Sequence, residues 1–345
     1  MIILLKSNKV VRRVTLVLVT SVILLLIVHS FWHSEPIYMG RKLSEWGKDL
    51  ISSTVGTKHQ EAVDAVRHIG PKALPLALRL CQANDSALDE MLRESMVRWC
   101  NVHIPYVDEN WRLGLEIIKV LGTNAKPAIP KLIGFLKGSN PNAADNAAVA
   151  FGYIGVDAIP PLMALLTNES LAARGYAAWG LGCIGSPSCA AMPILLRYIN
   201  DKDEVLRFKA AWALTKINDE PSIVVPALIK YIKNENYHSS GGFIPHSWLF
   251  YTLGRFGTNA LPAVPALTSY IESRPFPEYE AMAALYRIDP ETGKDFVHKY
   301  EVQHRNFNAS NFINSLETFR TITPASSNSG SQWEYKRLSK HLSDQ

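Results

Sequence analysis

Catalytic motifs are absent from this sequence. It contains no His-Glu-x-x-His, no Gly-x-Ser-x-Gly, no phosphate-binding loop that ends in Gly-Lys-Ser/Thr and no Cys-x-x-Cys. His298 and His304 flank Glu301, but their spacing does not bring the three side chains onto one face of a helix, as a metal site would require. We therefore expect a protein that is not an enzyme and that needs no metal, cofactor or small-molecule substrate.

The four cysteines offer one possible covalent link. Cys183 and Cys189 are separated by a short segment, so a disulfide between them is geometrically conceivable in an oxidising compartment. The alternative is that both are free thiols, with Cys183 on the apolar side of its helix. Both possibilities stay open at this point.

Another set of side chains could recognise a protein. Aromatic residues are common anchors at protein interfaces, because they supply a large amphipathic area. Rings recur at one position of a repeated pattern, and basic residues beside them add a mild positive character. The rings are Phe135, Tyr198, Tyr231 and Tyr270, and the basic neighbours are Lys131, Arg197 and Lys230. We expect these side chains to form a protein-binding strip, or else the rings to pack between neighbouring repeats.

Glycines mark the repeated pattern that positions these residues. Each follows an amphipathic stretch, and in one copy an asparagine takes its place: Gly70, Gly122, Gly155, Gly185, Asn218 and Gly257. The residue after a helix commonly takes a positive φ, which Gly and Asn tolerate. Prolines follow in register, and proline is tolerated in the first turn of a helix. The pattern predicts a first helix (helix A) that ends at the glycine and a second (helix B) that opens with proline.

Helix B is predicted to bury one face. In one copy the apolar residues Ile129, Leu132, Ile133 and Leu136 follow the i, i+3, i+4, i+7 spacing of a helical stripe, and the other copies repeat it. After the first interval, the copies lie 30 to 39 residues apart. A repeat of this length indicates a solenoid, in which each helix pair buries its apolar face against the next pair.

These features resemble HEAT repeats of the short bacterial kind. Glycine separates the paired helices, and helix B opens with Ala-x-Pro-x-Ile-Pro-x-Leu, as in residues 125–132. The resemblance covers residues 60–302, although the period is below the ~40 to 47 residues usual for HEAT and the first interval is longer. It implies an all-α fold, a right-handed α-solenoid of about seven helix pairs whose B helices line the concave side. It also implies a scaffold that holds a protein or an extended peptide there.

Two other functions stay open. HEAT-like folds include chromophore lyases of phycobilisomes and alkylpurine DNA glycosylases, so an enzyme of either type is one alternative. A passive spacer in the cell envelope is the other. A nucleic-acid partner is not expected, because four basic residues before Glu35 account for most of the net charge of +5 and leave the repeats nearly neutral.

The segment before the repeats predicts a membrane anchor. Residues 14–33 are uncharged and mostly apolar, which is the length that a bilayer core requires. Lys6, Lys9, Arg12 and Arg13 precede it, so the positive-inside rule places the N-terminus in the cytoplasm and the repeats on the other side. A cleavable signal peptide is the alternative. Either way, we expect the repeats to be extracytoplasmic, in the periplasm or at the cell surface.

The predicted organisation has five parts. Residues 1–13 form a basic tail, 14–33 the anchor or signal sequence, 34–56 a linker and N-terminal cap, 57–302 the solenoid and 303–345 a largely disordered tail. Segments 82–110 and 234–245 interrupt the repeat pattern. Insertions of this kind are often functional, so either could carry a site, or they could be irregular packing.

Overall fold

The computed structural model describes residues 35–52, 56–82, 107–167, 170–218, 220–233, 247–273, 279–303, 308–310 and 313. The predicted anchor at 14–33, most of segment 82–110, all of segment 234–245 and most of the predicted tail lie outside these residues. Within the described ranges, no helix combines the length and the apolar character needed to cross a bilayer.

The described residues are almost entirely helical. A short hairpin, β1 (Ile37–Tyr38) and β2 (Arg41–Lys42), precedes fifteen helices, and the all-α prediction did not include it. The first helix is α1 (Leu43–Ser52). The A helices are α2 (Thr57–Ile69), α4 (Val107–Leu121), α6 (Pro141–Ile154), α8 (Leu171–Ile184), α10 (Glu204–Ile217), α12 (Ser247–Phe256) and α14 (Tyr279–Ile288). The B helices are α3 (Leu74–Gln82), α5 (Ile129–Lys137), α7 (Ile159–Leu165), α9 (Met192–Tyr198), α11 (Pro221–Ile232), α13 (Val264–Glu272) and α15 (Pro290–Gln303).

The residues that end the A helices have the predicted backbone conformation, with one exception. All five predicted glycines have positive φ, for example 83° at both Gly155 and Gly185, where L side chains are disfavoured. Asn218 differs, because it has an extended backbone with φ of −132°. The expectation that Asn218 adopts a positive φ is therefore wrong. Its side chain instead accepts a hydrogen bond from the Glu220 amide at 2.8 Å, which directs the chain into α11.

Polar side chains start three consecutive A helices. Asn140, Ser170 and Asp203 are extended and accept hydrogen bonds from the backbone amides of Ala143, Ala173 and Leu206. Each satisfies an amide that lacks a partner within the first turn of the helix. Prolines then open the B helices, as at Pro130 in α5.

Most successive A helices pack closely, although α10 and α12 make few contacts with each other. The most extensive contacts join α6 to α8 and α8 to α10, and α12 packs on α14 in the same way. Gly152 and Gly182 permit this approach: a Cβ at Gly182 would lie 2.8 Å from the Ala213 Cα, and one at Gly152 would lie 2.8 Å from the Cys183 carbonyl oxygen. Alanines fill most of the remaining interface. The A layer is therefore built mainly from small residues, and Gly182 leaves room for the Trp212 ring of the neighbouring helix.

Most of the predicted apolar stripe on the B helices is buried. Leu132, Leu136 and Leu228 are at most 1 % exposed, and together with their equivalents they pack between the A and B layers. At the N-terminal end, the Trp46 indole N–H donates to the Tyr38 carbonyl at 3.1 Å, and α1 packs against α2 and α4. The hairpin and α1 thus attach directly to the first repeats.

Candidate functional site

The rings of the predicted B-helix strip are buried. Phe135, Tyr198, Tyr231 and Tyr270 are at most 7 % exposed. The Tyr198 hydroxyl donates to the carbonyl of Leu166, which directly follows the preceding B helix. These rings therefore pack between repeats, which is the second of the two expectations. The physical reason is that their position adjoins the buried end of the apolar stripe, so they face the neighbouring repeat and not the solvent.

The basic residues of the same prediction do lie on the surface. Lys131, Arg197 and Lys230 are exposed on α5, α9 and α11. The Lys131 Nζ lies 5.6 Å from the centre of the Phe135 ring. The structure thus separates the seven residues into buried rings and an exposed basic margin.

The cysteine and histidine candidates show no joint site. Cys183 and Cys189 are free thiols, so no disulfide links them. Burial raises the pKa of Cys183 to about 12, and the nearby Lys216 opposes this only partly, so the thiol stays protonated. The His298 Nδ1 lies 3.7 Å from Glu301, whereas His304 is outside the described residues. Among the residues that the structure describes, no cluster suited to a metal ion occurs.

The A helices carry a different group of large side chains. Trp179 on α8 and Trp212 on α10 are partly exposed, and their rings stack with 4.3 Å between centroids and 6° between planes. Tyr176 lies one turn before Trp179 on the same face of α8 and is also partly exposed. Lys209 lies one turn before Trp212. We call Tyr176, Trp179, Lys209 and Trp212 the A-helix strip.

A buried lysine fixes the geometry of this strip. The Lys209 Nζ lies 3.1 Å from the centre of the Tyr176 ring and 5.8 Å from that of Trp179. It also lies 3.8 Å from the Asp145 carboxylate on α6, and the Lys209 side chain is only 9 % exposed. One ammonium group therefore connects three successive A helices through a carboxylate and two aromatic faces.

The burial of Lys209 affects its ionisation and that of Asp145. Burial lowers its pKa to about 8, and the attraction of Asp145 and Asp203 recovers only part of the shift. The pKa of Asp145 is raised, because burial outweighs the attraction of Lys209. For both groups, removal of water from the charged form is the larger effect.

Small and aliphatic side chains lie beneath the strip. Ala177, Ala178 and Leu181 on α8, with Ala211 and Leu214 on α10, are completely buried. Trp179 and Trp212 pack against this layer and stay partly exposed, and a Cβ added at Gly182 would lie 2.7 Å from the Trp212 Cζ3. A surface of this type offers partly exposed, stacked aromatic area that the buried Lys209 holds in place.

Our sequence reasoning missed this surface because it followed the B helices. A signal was available: Trp179, Trp212 and Tyr251 each lie six residues before Gly185, Asn218 and Gly257. Tyr251 is also partly exposed on α12. Since an A helix is packed through alanine and glycine, a tryptophan at a repeated position on it was the unexpected feature.

The fold defines the chain as an α-solenoid, and the A-helix strip is an aromatic surface on one of its two helical layers. Residues 159–239, which include the whole A-helix strip, match the family described as HEAT repeats. This part of the chain is built of HEAT repeats. No curated protein matches it in sequence.

Solved structures show a more distant likeness. One is a crystal structure of an engineered protein, with 16 % sequence identity, a TM-score of 0.38 and coverage of 77 % of this chain and 85 % of that chain. Another describes Kap95p binding to RanGDP, with 14 % identity, a TM-score of 0.42 and coverage of 84 % of this chain. The chain spans 47 % of the length of that second match.

Proposed function

We propose that this protein is a non-enzymatic scaffold and that a protein partner docks on the A-helix strip. The observation that carries the proposal is the partly exposed, stacked pair Trp179 and Trp212 on neighbouring A helices. Tryptophan and tyrosine are enriched among the residues that dominate binding energy, because they bury a large area at a small entropic cost.

The position of Lys209 supports a binding role for the strip. Immobilising a side chain on binding costs conformational entropy, and the contacts of Lys209 with Tyr176, Trp179 and Asp145 already restrict these side chains in the free protein. The aromatic surface is thus preorganised. Both tryptophan rings nevertheless stay partly exposed, so they can also contact a partner.

The packing of the A layer also favours this side of the solenoid. Glycines let α6, α8 and α10 approach one another closely, whereas consecutive B helices make far fewer close contacts with each other. A stack bends toward the layer whose members are closer together. We infer that the A helices line the inner side, in place of the B helices that the resemblance implied, and an inner surface can surround a partner.

We also propose that residues 14–33 anchor the scaffold in a membrane with the repeats outside the cytoplasm. The support is the uncharged apolar segment and the four basic residues before it. A reporter fused after Gln345 should be active only outside the cytoplasm. Activity of a cytoplasmic reporter would refute this topology, and a mature N-terminus near Phe31 would show that the segment is removed.

Cross-linking and capture from membranes test the docking surface. The variant is Trp179→Ala with Trp212→Ala, and the matched control replaces Lys131, Arg197 and Lys230 on the B side with Ser. The partner captured by the unmodified chain should be identified, purified and titrated against all three proteins. Loss of a buried anchor typically costs about 2 kcal/mol or more, so the double variant should bind at least ~30-fold more weakly.

The control variant should retain the unmodified affinity, and both variants should keep the helical circular dichroism signal. If the double variant binds normally while the B-side variant does not, the docking surface lies on the basic margin of the B helices and the proposal is wrong.

A further inference from the structure

We propose that the N-terminal hairpin of β1 and β2 rests on a lipid surface through Ile37 and Met39 and so orients the solenoid on the membrane. The inference goes beyond partner docking, and it rests on the proposed anchor at residues 14–33, which brings the hairpin to a bilayer. Its support comes from the backbone of the turn, the exposure of the two side chains and the short chain between them and the anchor.

The turn of the hairpin contains a residue that such turns disfavour. Tyr38 pairs with Arg41, so Met39 and Gly40 form a two-residue turn, and their φ values are 49° and 75°. Positive φ at both central residues is typical of a type I′ turn, which prefers Asn-Gly, Asp-Gly or Gly-Gly. Among the residues that the structure describes, Met39 is the only one other than glycine with a positive φ. Local structure therefore gives no reason for a methionine here, and its backbone is strained.

One face of the hairpin packs on the solenoid. The Tyr38 ring lies 4.4 Å from the ring of His68 on α2, and the Arg41 guanidinium lies 3.9 Å from the centre of the Trp46 ring on α1. Arg41 also pairs with Asp49 on α1 at 2.7 Å. These contacts hold the hairpin in place against the first two helices.

The other face carries the apolar side chains. Ile37 pairs with Lys42, and successive side chains of a strand alternate between faces, so this pair lies on the side away from Tyr38 and Arg41. Ile37 is 65 % exposed, and Met39 at the tip is 78 % exposed. Single exposed apolar residues are common on protein surfaces. Here two occur together on a fixed hairpin with a lysine beside them, which is a combination that suits the boundary between lipid headgroups and acyl chains.

The chain leaves little distance between the hairpin and the proposed anchor. Four residue steps separate His33, the last residue of the anchor, from Ile37, and they span at most about 14 Å. The Glu35 carboxylate accepts a hydrogen bond from the Ser44 amide at 3.0 Å, so the chain is attached to α1 almost at once. The headgroup layer is about 5–8 Å thick on each side of the hydrocarbon core. An anchor in the bilayer therefore keeps the hairpin at or near that layer.

A weak contact is sufficient at this position. The anchor makes contact between hairpin and lipid an intramolecular step, and a short linker gives such a step a high effective concentration. Two apolar side chains can bias this equilibrium, although they would not hold a separate protein on a membrane. The expected consequence is a defined orientation of α1 and the first repeats relative to the bilayer.

Quenching by spin-labelled lipids tests the contact. The full chain is reconstituted into vesicles of phosphatidylcholine and phosphatidylglycerol that contain headgroup nitroxides. A fluorophore is attached at Lys42→Cys, beside Ile37, and in a control protein at Val302→Cys, which is 85 % exposed on α15. The comparison chain adds Ile37→Thr and Met39→Asn to the Lys42 label. Threonine suits a strand and Asn-Gly suits the turn, so this chain should keep its hairpin.

Each label must report one position. Cys100→Ser and Cys189→Ser therefore stand in every labelled chain. Cys81 and Cys183 should react little, because burial raises the pKa of both thiols to about 12. Far-ultraviolet circular dichroism and the melting temperature check that each chain is folded.

We expect the nitroxide lipids to quench the Lys42 label and not the Val302 label. Fluorescence lifetimes give the ratio of quenched to unquenched molecules. This ratio should fall about tenfold in the comparison chain, since burial of even one such side chain is worth about that factor. Equal quenching at both label positions, or an unchanged ratio in the comparison chain, overturns the inference. If the comparison chain is not folded, Met39→Asn alone takes its place and must lower the ratio.

Flotation of the vesicles separates this inference from the proposed anchor. Both chains should float with the vesicles, because residues 14–33 are present in each. If they float and the Lys42 label is not quenched, the anchor stands and the hairpin contact is wrong. If neither chain floats, the anchor is wrong and the hairpin contact fails with it. Docking on the A-helix strip is decided by the partner titration and is independent of both results.

Discussion

Because α8 packs closely against α10, we expect one methyl group added between them to lower the stability of the fold substantially. A Cβ at Gly182 would lie 2.7 Å from the Trp212 Cζ3 and 2.8 Å from the Ala213 Cα. Ordinary contacts begin at 3.4 Å. The Ala213 Cα belongs to the backbone, so Gly182→Ala must move α8 away from α10 and cannot be accommodated by a side-chain rotation alone.

The magnitude follows from two opposing effects. Replacement of glycine by alanine inside a helix is worth about 1 kcal/mol. Overpacking a close interface costs about 1–3 kcal/mol. The matched control is Gly134→Ala in α5, where an added Cβ meets nothing within 4 Å and only the favourable effect applies. We expect Gly182→Ala to be about 1–3 kcal/mol less stable than Gly134→Ala, since the two changes are chemically identical.

Urea unfolding and near-ultraviolet circular dichroism measure the two consequences. Unfolding followed by the helical signal gives the difference in free energy of unfolding, provided that the slopes agree. The near-ultraviolet signal should change in Gly182→Ala only, because Trp212 is displaced from its stack on Trp179. Equal stabilisation of both variants with an unchanged aromatic signal would refute the close contact of α8 and α10.

Three further predictions concern the core, the buried lysine and the tyrosines. Leu228→Ala should lower the free energy of unfolding by about 2–5 kcal/mol because Leu228 is completely buried, whereas the exposed Lys233→Ala should be nearly silent in the same urea titration. The pKa of Lys209 is 10.5 in its ordinary state and about 8 in the folded chain, so between these values the unfolded chain holds the proton, the folded chain has lost it, and the free energy of unfolding rises with pH. Lys209→Met should flatten that rise relative to the unmodified chain. If the free energy of unfolding rises with pH equally steeply in both proteins, the burial of Lys209 is contradicted. Tyr198→Phe should cost about 1 kcal/mol because it removes the hydrogen bond to Leu166, and a neutral result by urea unfolding would mean that this bond does not couple the repeats.

Much of the candidate site can be predicted from the sequence once the repeats are aligned. Trp179, Trp212 and Tyr251 share a position in successive copies, as do Tyr198 and Tyr231 in theirs. The sequence does not reveal which of these two aromatic sets is accessible. Both lie on amphipathic helices, and a helix in a solenoid can bury one face on its own partner and a second face on the next repeat.

The sequence by itself determined the helix pairs and their ends. Glycine at positive φ and proline in the first turn are local requirements of the backbone, so their spacing alone predicts where A helices stop and B helices begin. The tertiary structure decided what faces solvent, because burial of Tyr231, exposure of Trp212 and the enclosure of Lys209 depend on how neighbouring repeats stack. Asn218 shows the same limit at the level of one residue. Its side chain permits a positive φ, but its contact with Glu220 at the start of α11 favours an extended backbone.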